Sequence, residues 1–323
     1  MRRRRLAART AFLQQSHGAG ARALHREKTL SAEAIESAKG QPTRRDTSRE
    51  PRSRVSRLLH IDPLKFALPL GVLIAWTAAY LLQLMPPVLL PSPLAVLRAI
   101  AEWINPAWGS GRPAYYTGTW AADALGSGFR AIVGFVIGSA LAIVVGVAVG
   151  WSSKAERIID PTVQVLRPMP RTALLPFAII FFGLGNLPAL FLVVYGVFLQ
   201  VYLQVVTGVK LVSRDWKRAA AMLGASQRQI LWRVVIPGAL PHIFVGLRLG
   251  IAYAWTMMIL AEMFAVSGGF GYVLWRGYEF MRMDIVLGGM IMLGLFGFIS
   301  DRIIVAIARR KLAWAQELSG NQL

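Results

Sequence analysis

Long apolar runs separated by short polar segments fill the chain after residue 60. Six of these runs approach the roughly 20 residues that a helix needs to cross the roughly 30 Å hydrocarbon core of a bilayer. They are Phe66 to Leu84, Phe129 to Trp151, Thr172 to Gly185, Leu187 to Val209, Ile243 to Val266 and Ile285 to Ile307. The third run is short and contains Pro176, so we expect a broken or tilted helix there. The pattern predicts an all-α integral membrane protein with about six transmembrane helices.

Basic residues that flank these runs lie mostly on one side of the predicted bundle. The opposite side carries few, among them Arg276 and Arg282, which stand near Glu279 and Asp284. Since short cytoplasmic loops are enriched in Lys and Arg, we expect the basic side, and with it both termini, to be cytoplasmic. The basic side carries Lys154, Arg157, Arg167, Arg171, Arg214, Lys217, Arg218, Arg228, Arg233, Arg309, Arg310 and Lys311.

The composition fits a membrane protein, since 55% of the residues are hydrophobic and 16% are charged. The formal net charge of +20 would also suit a nucleic-acid-binding protein. Residues 1–60, however, contain 15 Lys and Arg against 5 Asp and Glu, so half of the excess lies ahead of the first apolar run. We therefore predict a basic, disordered cytoplasmic tail over residues 1–60, a short cytoplasmic tail over residues 314–323, and no nucleic-acid partner.

Small residues recur at every fourth position along the second apolar run. They are Gly134, Gly138, Ala142, Gly146 and Gly150, and this spacing puts them on one face of a helix. Small side chains let two helix backbones approach closely, so this face is predicted to pack against another helix. The pattern indicates a multi-helix bundle and does not by itself indicate a ligand site.

The segment between the fourth and fifth runs, residues 211–241, is too long and too rich in helix-forming residues to be a simple turn. Asp215 favours the start of a short helix and Gly224 favours its end. Ser226 and Gln229 have the spacing of a capping box, which predicts a second helix that ends at Pro237. Two short helices that project from the membrane in this way suit docking into a groove on a partner.

This loop resembles the EAA motif of permease subunits of binding-protein-dependent ABC importers. Arg218-Ala219-Ala220, Gly224 and Val234-Val235-Ile236-Pro237 match the intervals of that motif. Arg218 departs from it, because the family usually has an acidic residue there, so an acid-mediated contact is lost or reversed. The similarity extends over about residues 64–313 and points to the branch for nitrate, aliphatic sulfonates or taurine, through Leu90-Pro91-Ser92-Pro93, Phe182-Gly183-Leu184-Gly185 and Ala261-Glu262.

The resemblance implies the type I ABC importer permease fold over residues 64–313, in a bacterial inner membrane. It implies a path for a small solute, such as nitrate, an aliphatic sulfonate or taurine. The implied partners are two copies of a separate ATPase subunit, a second permease subunit that completes a homodimer, an external or periplasmic solute-binding protein and the lipid bilayer. The residues implied to couple to the ATPase are Arg218, Ala219, Ala220, Gly224, Ala225, Ser226, Val234, Ile236 and Pro237.

Polar residues inside the apolar runs are the candidates for the translocation path, because an ionisable group at membrane depth usually faces protein or water. Glu262 lies far along the fifth run, where it either lines the path or hydrogen-bonds to a neighbouring helix. Gln200 and Gln204 are one turn apart on the fourth run and either contact the solute or bridge two helices.

Two other polar features have simpler interpretations. Arg248, near the start of the fifth run, is expected to snorkel or to pair with a loop carboxylate such as Asp160 or Asp215. Gly268-Gly269-Phe270-Gly271 is predicted to be a turn, since a nucleotide-binding glycine loop requires a preceding strand.

The sequence contains no motif for catalysis, metal binding or a cofactor. It has no cysteine and four scattered histidines, and Gly146 to Gly150 is followed by Trp151 where a P-loop would have Lys and Ser or Thr. We therefore predict a transport subunit that is not itself an ATPase. An autonomous secondary transporter or channel is the alternative, and would require internal repeats and ion-coupling charges. A membrane-anchored tether that uses the basic tail is a third hypothesis.

Overall fold

The computed structural model describes residues 64–108 and 114–312, so both predicted tails lie outside the described residues. Within this part of the chain all regular structure is helical, which confirms the all-α class. Here two 3₁₀ turns, Pro106–Trp108 and Arg171–Ala173, and a π turn, Leu231–Val235, accompany the α-helices. The α-helices are α1 Leu64–Leu81, α2 Pro93–Ile104, α3 Trp120–Trp151, α4 Ser153–Leu166, α5 Leu174–Phe182, α6 Asn186–Leu211, α7 Arg214–Met222, α8 Gln227–Ile230, α9 Ile236–Ala265, α10 Phe270–Glu279 and α11 Met283–Lys311.

Among the described residues, four helices are long and apolar enough to cross a membrane: α3, α6, the helix that runs on from α8 through α9, and α11. The pair of α4 and α5 adds a fifth span if it is counted as one crossing that is bent by 84°. The first predicted run lies on α1, a shorter apolar helix. The third run is broken, as expected. Its helix, α5, has 9 residues, which at 1.5 Å per residue reach about half-way across a bilayer.

Three helices, α3, α6 and α9, pack along one another and form the centre of the bundle. The small residues of α3 lie against α6. A Cβ atom added to Gly138 would lie 2.8 Å from the Val194 carbonyl oxygen, and one added to Gly146 would lie 2.9 Å from the Val205 Cβ atom. Larger side chains on this face would therefore separate the two helices.

The helix after the α7–α8 loop continues through Pro237, so the prediction that it ends there was wrong. Pro237 lies in the first turn of α9, where a missing N–H costs little. Immediately before it, Leu231–Val235 forms a π turn in which Ile236 N–H donates to the Leu231 carbonyl oxygen, five residues back. The wider turn accommodates the proline ring, which an α-helical interior would not.

The break between α4 and α5 lies beside the middle of the bundle. The Tyr195 hydroxyl of α6 donates to the Leu166 carbonyl oxygen at 2.8 Å, just before the break. Within the break, the guanidinium carbon of Arg171 lies 4.7 Å from the centroid of the Tyr253 ring in α9. Since α9 ends at Ala265, Tyr253 is about 18 Å from that end at 1.5 Å per residue. Arg171, which was predicted to belong to a basic loop, thus contacts the middle part of α9.

We predict that Gly138→Ala lowers the free energy of unfolding by about 1–3 kcal/mol, because the new methyl group meets a backbone carbonyl of α6. The thermal unfolding midpoint of the purified chain in detergent measures the effect. Gly128→Ala on the same helix is the control, since no atom lies within 4 Å of its added Cβ. There the higher helix propensity of alanine should leave the midpoint unchanged or raise it. Equal shifts in both variants would contradict a close α3–α6 contact.

Candidate functional site

Local capping interactions build the loop between α6 and α9. The Ser213 side chain caps the first turn of α7. At the other end, Gly224 N–H donates to the Ala221 carbonyl oxygen, and Ala225 N–H donates to the Ala220 carbonyl oxygen. These two bonds form a Schellman motif, and Gly224 adopts the positive φ of +81° that the motif requires. The predicted helix stop at Gly224 is confirmed.

The predicted capping box begins α8. The Ser226 hydroxyl accepts a hydrogen bond from Gln229 N–H at 3.3 Å, and the Gln229 side-chain oxygen accepts one from Ser226 N–H at 2.8 Å. Each residue satisfies a backbone donor of the other, so the start of α8 is fixed by two neighbouring side chains.

Large apolar side chains are exposed on this loop. Leu223 is 89% exposed and Met222 is 82% exposed, and Trp216 and Trp232 of the same loop are also exposed. We name these four residues the coupling surface, after the role that the resemblance to the EAA motif implies for this loop. Exposed apolar side chains of this size usually mark a site of contact with another protein or with the membrane.

Charged groups surround the coupling surface, and most of them are basic. Arg218 Nη1 lies 3.8 Å from Asp215 Oδ1 in a pair whose side chains are 72% and 86% exposed, so solvent screens the attraction. Partial burial, together with the neighbouring Arg214, lowers the pKa of Lys217. The loop therefore combines exposed apolar side chains with nearby positive charges.

The residues assigned to coupling by the motif lie at this end of the bundle in two layers. An outer layer is exposed and an inner layer is half-buried, and Ala220, Ala225 and Val234 of the inner layer pack against the hydrophobic core. Outer residues can touch a partner, and inner residues attach the loop to α6 and α9. The outer layer consists of Arg218, Ala219, Gly224 and Ser226, and the inner layer of Ala220, Ala225, Val234, Ile236 and Pro237.

A buried ion pair lies at the other end of α9. Arg130 Nη2 of α3 lies 2.6 Å from Glu262 Oε1, and the two side chains are 7% and 0% exposed. Arg130 also donates to Asn186 Oδ1 at 2.9 Å and to the Gly268 carbonyl oxygen at 3.0 Å. One guanidinium thus links α3, α9, the start of α6 and the loop before α10.

The N-terminus of α10 is held by the same polar cluster. Its first N–H groups have no partner within the helix, and side chains of α3 and α9 accept their hydrogen bonds. Gly269 has φ +114°, and a Cβ atom there would lie 2.5 Å from Arg130 Nη2, so only glycine fits. The predicted turn is found at Gly268 and Gly269, whereas Phe270 and Gly271 already belong to the first turn of α10, so that half of the prediction was wrong. The bonded pairs are Gly269 N–H with Asp123 Oδ1 (2.7 Å), Phe270 N–H with Ser127 Oγ (2.9 Å) and Gly271 N–H with Glu262 Oε2 (2.8 Å).

The three residues predicted for the translocation path do not lie together, because Glu262 is distant from Gln200 and Gln204. Glu262 has an enclosed carboxylate that is hydrogen-bonded to a neighbouring helix, which agrees with the second interpretation of this residue. Gln200 and Gln204 are half-buried on α6, and Gln204 lies against Gly246 of α9. Gln204 is about 27 Å along α6 from Asn186, which contacts Arg130, so the glutamines and Glu262 lie at different depths.

Arg248 pairs with Asp301 of α11, so the expected contact with Asp160 or Asp215 was wrong. Arg248 Nε lies 2.6 Å from Asp301 Oδ1. The Asp160 carboxylate instead accepts a hydrogen bond from the Tyr202 hydroxyl at 3.0 Å. Arg248 and Asp301 are 53 positions apart in the chain, so no local spacing could indicate their pairing.

Three residues of the buried cluster were not predicted: Asp123, Ser127 and Arg130. They stand at positions i, i+4 and i+7 and therefore share one face of α3. Polar residues with helical spacing at the start of an apolar run were the available signal. That signal would have indicated a buried polar face without identifying its partners on α9 and α10.

A second polar cluster fixes the loop before α3. The Tyr116 hydroxyl donates to Glu102 Oε2 at 3.2 Å and accepts a hydrogen bond from Arg282 Nη2 at 2.6 Å. Burial raises the pKa of Tyr116 above its usual range, so the phenol keeps its proton and remains a donor. This cluster joins α2 to the start of α11.

The chain is similar in sequence to known membrane components of transport systems. Residues 134–312 match the family described as binding-protein-dependent transport system inner membrane component. The taurine transport system permease protein TauC of Escherichia coli is 31% identical over 82% of this chain and 98% of the relative. The nitrate import permease protein NrtB of Synechococcus elongatus is 28% identical over 56% of this chain and 66% of the relative. A solved inward-facing structure of the MetNI methionine ABC transporter is 20% identical, with a TM-score of 0.49, and covers 58% of this chain and 95% of that chain.

We predict that Arg130→Met destabilises the chain by about 3–5 kcal/mol, because it leaves the buried Glu262 carboxylate without a counter-charge. Thermal unfolding in detergent measures the loss. Combining Arg130→Met with Glu262→Gln removes that charge and should recover part of the stability.

The control is Arg276→Gln. It breaks a pair with Glu279 whose side chains are 42% and 40% exposed, and should cost no more than about 1 kcal/mol. If Arg130→Met shifts the midpoint no more than this control does, the pair does not hold the end of the bundle together.

Proposed function

The chain belongs to the family of binding-protein-dependent transport system inner membrane components, and from this premise we propose that it forms the translocation path of an ATP-driven importer for a small oxyanion. It is a multi-pass membrane protein and a permease component. Membership of this family implies an ATPase subunit and a solute-binding protein as partners. The bacterial inner membrane is the proposed location.

The coupling surface is the observation that carries this proposal. Trp216 and Met222 lie on α7, Leu223 is its C-cap residue, and Trp232 lies in the π turn that follows α8. The Schellman motif fixes the end of α7 and the capping box fixes the start of α8. A rigid, exposed apolar projection loses little conformational entropy when it docks into a groove. We propose that α7 and α8 are the coupling helices and that the groove belongs to the ATPase subunit.

The charges around this surface suggest the chemistry of the groove. Arg218 occupies the position that is usually acidic, and Lys217 and Arg214 stand on the same short helix. We propose that the groove has an acidic rim facing these residues, so the complex should weaken as the salt concentration rises. Apolar contacts in the centre and charge at the rim are the usual division within an interface.

Two copies of this chain are proposed to enclose the path. The space between α3, α6 and α9 is filled by buried side chains, such as those of Val197, Val201 and Met258. A solute would therefore have to pass beside this packed centre, between two bundles. We propose a homodimer with two ATPase subunits, and a detergent-solubilised complex with a single permease copy would contradict it.

ATP hydrolysis is assigned to the partner subunit. The chain has no P-loop sequence, and a permease needs none when its partner supplies the nucleotide site. We propose that this chain has no catalytic residue of its own.

The class of solute is inferred from the names of the similar permeases. TauC is named for taurine, which carries a sulfonate group, and NrtB is named for nitrate. We propose a small oxyanion of this kind, either an aliphatic sulfonate such as taurine or nitrate. Gln200 and Gln204, half-buried on α6, are kept as candidate contacts along the path.

We predict that Leu223→Asp abolishes co-purification of the chain with the ATPase subunit of its importer, because it places a charge in the apolar centre of the docked surface. The ATPase retained on the affinity-tagged chain in detergent is the measured quantity. Ser153→Asp is the matched control. It adds the same charge at the exposed start of α4, at the same end of the bundle and outside the loop.

Membrane insertion and thermal stability of both variants should equal those of the wild type. If Leu223→Asp retains the ATPase as well as Ser153→Asp does, the docking assignment is wrong. If the wild-type chain never binds an ATPase and transports in reconstituted vesicles without ATP, an autonomous secondary transporter replaces the importer.

A further inference from the structure

Non-helical backbone is exposed at the break between α4 and α5. Residues 167–170 are exposed and belong to neither helix. They follow Leu166, whose carbonyl oxygen binds the Tyr195 hydroxyl about 14 Å along α6. Irregular backbone at membrane depth persists only where protein covers it or where it lines a water-filled cavity. The break is therefore a place where a path or a partner must lie.

Arg171 lies at the end of this break, and its charge has no carboxylate partner within the described part of the chain. It forms no ion pair with a carboxylate among residues 64–108 and 114–312, and its Nε–H group is buried without a hydrogen bond. Among the described residues, its guanidinium lies against the face of the Tyr253 ring and interacts electrostatically with Tyr195. Arg130 and Arg248, in contrast, each bind a carboxylate at 2.6 Å. A cation at membrane depth is costly, so an unpaired one marks a functional position.

We propose that Arg171 is the anion-binding group of the translocation path and that Tyr253 holds its guanidinium in position. This inference rests on the proposed import function and adds the group that selects for negative charge. A guanidinium presents N–H donors in a planar fork, which matches two oxygens of a sulfonate or nitrate. Such hydrogen bonds are charge-assisted and are stronger than those from neutral donors.

A cavity near the start of α6 and α10 is a weaker candidate for this role. It has a volume of about 610 Å³ and is lined by Asn186, Trp275 and Arg276, among others. Arg276, however, is already paired with Glu279 at 3.1 Å. An anion there would face a carboxylate as well as a guanidinium, whereas no carboxylate of the described residues forms an ion pair with Arg171.

The absence of native cysteine permits a direct test. Thr172→Cys places a thiol at an exposed position beside Arg171. Its reaction rates in membranes are measured with an anionic reagent, 2-sulfonatoethyl methanethiosulfonate, and with the cationic 2-trimethylammonioethyl analogue. The same cysteine is then studied with Arg171→Gln and with Arg171→Lys. Ile291→Cys on an exposed apolar face of α11 is the control for lipid-facing positions and should react slowly with both reagents.

The ratio of the anionic to the cationic rate should fall about tenfold or more with Arg171→Gln. A unit charge about 6 Å away in water changes the activation free energies of the two reactions in opposite directions by about 0.7 kcal/mol each. Arg171→Lys should keep most of the ratio. If Arg171→Gln leaves the ratio unchanged, or if Thr172→Cys reacts only after denaturation, the break does not hold an anion-attracting site and the inference fails.

Uptake separates this inference from the proposed function. In proteoliposomes with the ATPase and the binding protein, Arg171→Gln should lower uptake of radiolabelled taurine or nitrate on the order of 10- to 100-fold while ATP hydrolysis continues. If the wild type shows no ATP-driven uptake of either anion, the proposed function fails, and the labelling ratio still decides the role of Arg171. If the wild type transports and Arg171→Gln transports equally well, the inference alone fails.

Discussion

The buried pair of Arg130 and Glu262 is the interaction on which the arrangement of the bundle depends. Removing two charges from water costs more than their attraction returns unless their remaining donors and acceptors are also bonded. The chain meets this requirement by bringing Ser127, Asn186 and the N-terminus of α10 to the pair. Satisfying one ion pair therefore fixes the relative positions of α3, α6, α9 and α10.

Three arginines beside the membrane helices differ in what neutralises them, and this difference distinguishes their roles. Arg130 and Arg248 bind carboxylates on other helices and hold those helices together. Arg171 has an aromatic face but no carboxylate among the described residues. The first two charges are satisfied within the fold, while the third remains available for an anion that arrives from outside.

A single helix connects the two ends of the molecule. The helix that begins at Gln227 carries the capping box beside the coupling surface, passes Pro237 by means of the π turn and continues to Ala265. Glu262 stands in its last turn, where it joins the buried cluster. A force applied to the coupling surface would act through this helix on Arg171, which rests on Tyr253 in its middle, and on the cluster at its far end.

The sequence alone determined what depends on neighbours in the chain. The apolar runs predicted the helices, Gly224 predicted the end of α7, and the Ser226–Gln229 pair predicted the start of α8, because capping involves residues within a few positions. The tertiary structure decided the rest. The partners of Arg130 and Arg248 are 132 and 53 positions away, and the depth of Arg171 depends on which helices α4 and α5 pack against. Local spacing holds no information about such contacts, since only the packing of distant helices brings these charges together.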